Sequence, residues 1–297
     1  MYKILKVLIT GASGFIGSRL ASRLAQDGSI VYGMTHNNSI KESNVITIHA
    51  DLTENDWGIP NEKFDVVFHL AAATPMEKNR KLAKKINYDG TVNLFKKIND
   101  KAKFLVYVSG LGVFGDKGEN VIDENTPLQP NTEYAAVRLE AQKFLAAKCK
   151  EHSIPFTTAY LGEVYGNGGW FSSQIIDRLK KGSFRMPKAG KYYRCFVHVD
   201  DVVGALVTIA EKNAKDESFI ITDSNPSLFK DFIEYTCDKL GVKHPGSIPT
   251  FLAKTVLGGD FVKLLTTSIK TSNAKISKLY SFQFPSYKEG INAVISK

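Results

Sequence analysis

The chain has 297 residues, 43% of them hydrophobic and 23% charged, enough for one large core or two smaller ones. That composition excludes disorder, collagen and coiled coil, and the net charge of +9 raises anionic partners without choosing among them. The lysines are spread over residues 78–103, 143–150 and 180–191, as on a solvated basic face, so nucleic acid is not expected as a partner, and no run of about 18 apolar residues occurs, so no membrane is expected. Residues 1–10 lack the basic, apolar and cleavage-site order of a leader, which points to a cytoplasmic protein. Cys149, Cys195 and Cys237 are odd in number and far apart, and the histidines show no ligand spacing, so no disulfide framework and no metal are expected.

Apolar runs and amphipathic segments then alternate along the chain. Residues 7–9 close a first strand, 15–26 have helical spacing, and 30–34 and 45–48 predict two further strands. At 66–68 the aliphatics are consecutive, as a strand buried on both faces requires. Helical spacing runs over 80–99, a strand over 104–108, a long helix over 133–150 and a strand over 156–161. This is the pattern of a doubly wound α/β core with a parallel sheet. A glycine-rich loop at 166–169 and a basic segment at 182–191 follow, then a helix over 200–210, a strand over 218–221 and proline-punctuated amphipathic segments to the end.

The sharpest signal is Gly11, Ser13, Gly14, Phe15, Ile16 and Gly17, a GxxGxxG turn that follows a strand and opens a helix. Gly11 permits a tight turn, Gly14 lets backbone N–H groups approach a pyrophosphate, and Gly17 allows close packing of helix on strand. A dinucleotide is the expected ligand. The end of the second strand, with Thr35 and His36, has no carboxylate for an adenosine ribose, and His36 with Arg19 could flank a 2′-phosphate. NADP is therefore expected ahead of NAD.

With the GxxGxxG loop, seven further ordered landmarks resemble the extended short-chain dehydrogenase/reductase superfamily, the NAD-dependent epimerase/dehydratase family, over nearly the whole chain. They are Asp51-Leu52, the stretch from His69 through Ala71 and Ala72, Asn87 with residues 90–94, residues 108–115, Tyr134 with its helix, Val164-Tyr165-Gly166, and residues 194–201. The resemblance implies a Rossmann domain, expected here over 1–165 and 195–222, with a smaller substrate-binding lobe over 166–194 and 223–297. It also implies that Asp51 contacts the adenine, that Leu52, Ala71 and Ala72 line the cofactor, and that Asn87 shapes the sheet beside it. A homodimer is expected by analogy.

In such proteins a Tyr and a Lys one helical turn apart do the chemistry, the Tyr as acid/base and the Lys lowering its pKa and holding the nicotinamide ribose. Here the pair is Tyr134 and Arg138, which keeps the charge on a larger, planar group. The Ser or Thr that normally meets the reacting carbonyl is replaced by Gly110, with Ser109 beside it as the substitute hydroxyl. Three outcomes stay open: turnover by Tyr134 and Arg138, cofactor binding without turnover in a sensor or regulatory protein, or acid/base work by Glu163 or Tyr165. Arg194 stands where nucleotide-sugar members place an arginine on the diphosphate, Lys188 and Lys191 could add charge, and His198 and Asp201 are expected to fix a loop and cap a helix. The expected activity is NAD(P)-dependent oxidoreduction or epimerisation at a secondary alcohol or ketone of an anionic substrate, a nucleotide sugar.

Overall fold

The computed structural model describes residues 4–40 and 42–296. The first three residues of the stretch read for a leader lie outside the described residues. Strands β1 (Lys6–Thr10), β2 (Ile30–Thr35), β3 (Val45–His49), β4 (Val66–His69) and β5 (Leu105–Gly110) alternate with helices α1 (Phe15–Gln26), α2 (Arg80–Lys84), α3 (Gly90–Ile98) and α4 (Glu133–Glu151). Strands β6 (Phe156–Leu161) and β9 (Ser218–Ile221) complete a seven-stranded parallel sheet in the order β9-β6-β5-β4-β1-β2-β3. Between those two strands lie β7 (Glu163–Tyr165), β8 (Phe196–His198) and α5 (Val199–Glu211). Later come α6 (Phe229–Leu240), α7 (Thr250–Leu257), α8 (Gly259–Leu265) and α9 (Tyr287–Ile295).

The expected Rossmann order is present. β1 sits between β2 and β4, with Val7 beside Val31 on one side and Val66 on the other. All four residues of β4 are buried, which is why its sequence does not alternate. One difference lies in the predicted 80–99 helix, which is interrupted by a π-helical turn over Lys85–Asp89. The wider turn falls at Asn87, whose buried side chain is used outside the helix, as such bulges often are at functional sites.

Two compact units divide the chain. One runs to Ser109 and adds Tyr134–Tyr160 and Val203–Phe219; the other takes Gly110–Glu133, Leu161–Val202 and the chain from Ile220 on. The first has a core of Leu8, Val67, Leu94, Leu105, Tyr107 and Leu145, which joins sheet and helices. In the second, aromatics dominate: Phe196 stacks on Phe232 at 4.0 Å between ring centroids, and Tyr165 and Tyr287 pack around them.

Candidate active site

β1 delivers the chain into Gly11, whose φ of +70° belongs to the left-handed region that glycine adopts freely. From there Gly14 opens α1 with no side-chain cap and no acidic residue in the first turn, so the positive end of the helix is left for an anion. The third glycine is required by distance, because a Cβ on Gly17 would lie 2.1 Å from the carbonyl oxygen of Gly11. Likewise a Cβ on Gly11 would lie 3.0 Å from the Ala71 nitrogen. The glycines thus let turn, helix and the segment after β4 share one small volume, with half-buried Phe15 and Ile16 in the first helical turn.

Around this turn, Ser13 Oγ meets Thr35 Oγ1 at 2.8 Å, and Thr35 donates onward to the Asn38 carbonyl at 2.7 Å. His36 Nε2 lies 3.3 Å from Asp51 Oδ2. Burial raises the Asp51 carboxyl, but hydrogen bonds from Thr53 and the charges of His36 and Lys85 outweigh it and hold the group below its ordinary range. Arg19 folds back over its own helix, its guanidinium 4.6 Å from the Phe15 ring centroid and donating to the Phe15 carbonyl at 2.8 Å. His36 and Arg19, expected to flank a 2′-phosphate together, are each engaged with a different neighbour.

Under the glycine turn lies a feature that sequence reading missed. His69, at the end of β4, is fully buried, with Nδ1 2.7 Å from Thr10 Oγ1 and Nε2 2.9 Å from Thr91 Oγ1. Thr91 donates to the Asn87 carbonyl at 2.8 Å, so it accepts from Nε2–H; Nδ1 then accepts from Thr10, which itself takes the Ala71 N–H at 3.1 Å. Burial, helped by the Arg138 charge, lowers the imidazole pKa to about 3, which keeps it neutral. Asn87 finishes the frame by accepting the Ala73 N–H through Oδ1 at 2.8 Å. Half-buried Ala71 and Ala72 and buried Leu52, whose carbonyl accepts from Asn93 at 3.0 Å, hold their places from the backbone.

Helix α4 carries Tyr134 and Arg138 one turn apart. Arg138 is buried; its guanidinium lies 4.7 Å from the Tyr107 ring centroid, and Nη2 donates to the Val108 carbonyl. Its Nη1 and the Ser109 hydroxyl, next along β5, are buried without a hydrogen-bond partner among the described residues. Burial raises the Tyr134 phenol above its ordinary value, and the Arg138 charge only partly offsets this. Gly110 has extended backbone (φ −129°, ψ 162°), and a Cβ there would meet nothing within 4 Å.

In the second unit Arg194 pairs with Glu163 through Nη2 and donates through Nη1 to the carbonyls of Leu264 at 3.1 Å and Thr267 at 3.3 Å. Burial depresses its pKa to about 10, which leaves it charged at neutral pH. Glu163 is therefore an ion-pair partner here. Tyr165 is wholly buried, and its hydroxyl faces the Tyr287 carbonyl at 3.4 Å. Asp201 fastens the 280–284 segment, accepting from Tyr280 Oη at 2.8 Å and the nitrogens of Gln283 and Phe284 at 2.7 and 2.9 Å. His198 is buried against Phe284, 4.2 Å between ring centroids. Lys188 and Ala189 both take left-handed backbone, φ 50° and 51°.

The sequence profile of the NAD dependent epimerase/dehydratase family matches residues 7–222. The chain belongs to that family. Within it, this member is 26% identical to a 3-diazoavenalumate denitrifying reductase of a Streptomyces species, across 97% of this chain and 99% of the relative. It is 25% identical to an ADP-L-glycero-D-manno-heptose-6-epimerase of Brachyspira hyodysenteriae, across 90% and 91%. Among solved structures, the human epimerase family protein SDR39U1 with NADPH superposes with a TM-score of 0.82 at 19% identity, over 98% of this chain and 99% of that one. The structure of MoeE5 with UDP-glucose and NAD gives 0.83 at 21% identity, over 98% and 97%. Among the described residues no group of three or more His, Cys, Asp or Glu could hold a metal, and no helix is long and apolar enough to cross a membrane.

Proposed function

We propose that this family member is an NAD(P)-dependent oxidoreductase that acts at a secondary alcohol or ketone, with Tyr134 as acid/base and Arg138 in the place of the usual lysine. The observation that carries the reading is the Arg138 guanidinium one helical turn from Tyr134, with its buried Nη1 unpartnered among the described residues. A buried donor without an acceptor is costly, and a ribose hydroxyl would relieve it. The glycine cradle, which side chains would fill, accommodates a pyrophosphate at the start of α1. Gly11, Gly14 and Gly17 would hold that group, Asp51, Leu52, Ala71 and Ala72 would line the adenosine side, and Arg138 the nicotinamide ribose. NADP is proposed ahead of NAD, because Thr35 and His36 offer no carboxylate to a ribose 2′-hydroxyl.

When bound, the dinucleotide supplies or accepts a hydride. The protein's own part is proton transfer. A phenol is protonated at neutral pH, and burial raises the Tyr134 pKa further, so this group would donate a proton to a carbonyl oxygen in the reducing direction. Arg138 stabilises the phenolate left behind. Ser109, whose buried hydroxyl has no partner among the described residues, would donate to the same developing oxyanion in the role that Gly110 cannot fill.

The proposed substrate is an anionic nucleotide sugar, which the relatives' names support. Arg194 would bind its diphosphate by exchanging Glu163 for phosphate oxygens. A second reading, a dinucleotide-binding sensor, is favoured by the absence of a side chain at Gly110. Titration with NADPH and NADH, followed by NMR with UDP-, dTDP- and GDP-sugars and an uncharged ketone in deuterated water, separates the two. We expect a changed sugar or an oxidised cofactor that is lost in Tyr134→Phe. Turnover that survives Tyr134→Phe would overturn the assignment, and cofactor binding with every substrate unchanged would favour the sensor or point to a different carbonyl substrate.

A further inference from the structure

Helix α8 is short, yet both of its ends are held by residues distant in sequence. In its first turn, Asp260 Oδ1 accepts the backbone N–H of Glu133 at 2.9 Å, across 127 positions of chain. At its other end Arg194 takes the carbonyls of Leu264 and Thr267, and Thr267 Oγ1 donates to the Lys263 carbonyl at 2.8 Å. A carboxylate thus ties one end of α8 and a guanidinium the other, and each charge sits where the helix dipoles favour it.

Glu133 is the first residue of α4, and the residue after it is Tyr134. The early N–H groups of any helix have no partner within the helix, so the group that accepts from them fixes where the helix begins. Here that group belongs to another segment, and the N–H it holds is covalently next to the proposed proton donor. We infer that Asp260 is a positioning residue for Tyr134: it holds the start of α4, and through it the setting of the phenol. This rests on the reading of Tyr134 as the acid/base.

The test is NMR of protein carrying tyrosine labelled with 13C at Cζ, with NADPH bound, using Tyr134→Phe to assign the signal. Asp260→Ala should shift the Tyr134 signal while that of Tyr235 stays in place, and Asp260→Asn, which keeps an acceptor oxygen, should return it. If Asp260→Ala fails to fold, Asp260→Glu is read in the same way, because the extra methylene carries the carboxylate past the Glu133 N–H. A Tyr134 signal unmoved in the variant read would overturn the proposal, as would equal shifts of all tyrosines. In a carbonyl-reduction assay kcat should fall about fivefold in Asp260→Ala with cofactor affinity unchanged, as for a proton donor that is slightly misplaced but chemically intact. Absence of turnover in the wild type would count against the acid/base reading alone, since the NMR shift is independent of it.

Discussion

Arg138 donates to the carbonyl of Val108 through Nη2, while its buried Nη1 has no hydrogen-bond partner among the described residues. One half of the guanidinium is structural and the other half is available. Arg138→Met should therefore show two separable losses. Unfolding stability should drop by about 1 kcal/mol as the Val108 carbonyl loses its donor. Turnover should drop tenfold to a hundredfold, on the order of a weakened acid/base step. Arg138→Lys should recover more of the turnover than of the stability, because an ammonium keeps the charge beside Tyr134 but not the planar fork. Denaturant titration alongside steady-state kinetics would read both.

At Gly110 there is room for a side chain, and the extended backbone suits any residue. Gly110→Ser should fold as well as the parent, within about 1 kcal/mol. If a hydroxyl at this position serves the reacting oxygen, turnover should rise about tenfold, with most of the gain in kcat. A fall in turnover with an unchanged melting temperature would show that the open space belongs to the substrate.

The buried neutral state of His69 makes stability depend on pH. Its folded pKa, about 3, lies below the unfolded value of 6.5, so below pH 6.5 the unfolded chain takes up a proton that the folded chain refuses. Stability from this group is complete above 6.5 and is lost as the pH falls, by about 1.4 kcal/mol for each pH unit until the folded pKa is reached. Urea titrations at several pH values should show this slope, and His69→Gln should flatten it.

Glu163 is the counter-charge of a nearly buried arginine but is itself only half-buried, and Glu163→Gln should destabilise the protein by about 1–2 kcal/mol. The double variant Glu163→Gln, Arg194→Met should recover much of that loss, because no uncompensated charge is left behind. Thermal melts of the two single variants and the double variant form the required cycle.

Most strands of the sheet could be located in the sequence because buried parallel strands leave runs of apolar residues, as at Val66, Val67 and Phe68. The glycine turn was legible for a similar reason: a backbone that approaches another backbone within van der Waals contact tolerates no side chain, and that constraint is written locally. What escaped depends on partners from separate segments. His69 gains its role only once β1 brings Thr10 and α3 brings Thr91 to the two sides of its ring. Arg194 could be placed by its motif, but its partner could not, since Glu163 arrives through the parallel register that sets Phe196 beside it. Asp260 sits in a stretch with no distinctive pattern, and only the fold brings it to Glu133.

The Thr10–His69–Thr91 chain has a direction. Every proton in it points one way, from the Ala71 amide through two hydroxyls and an imidazole to the Asn87 carbonyl. Such a chain works as a keyed latch between β1, β4 and the helix that begins at Gly90. If one tooth slips by a residue, the next donor faces a donor, and the floor beneath the glycine turn comes undone as a unit.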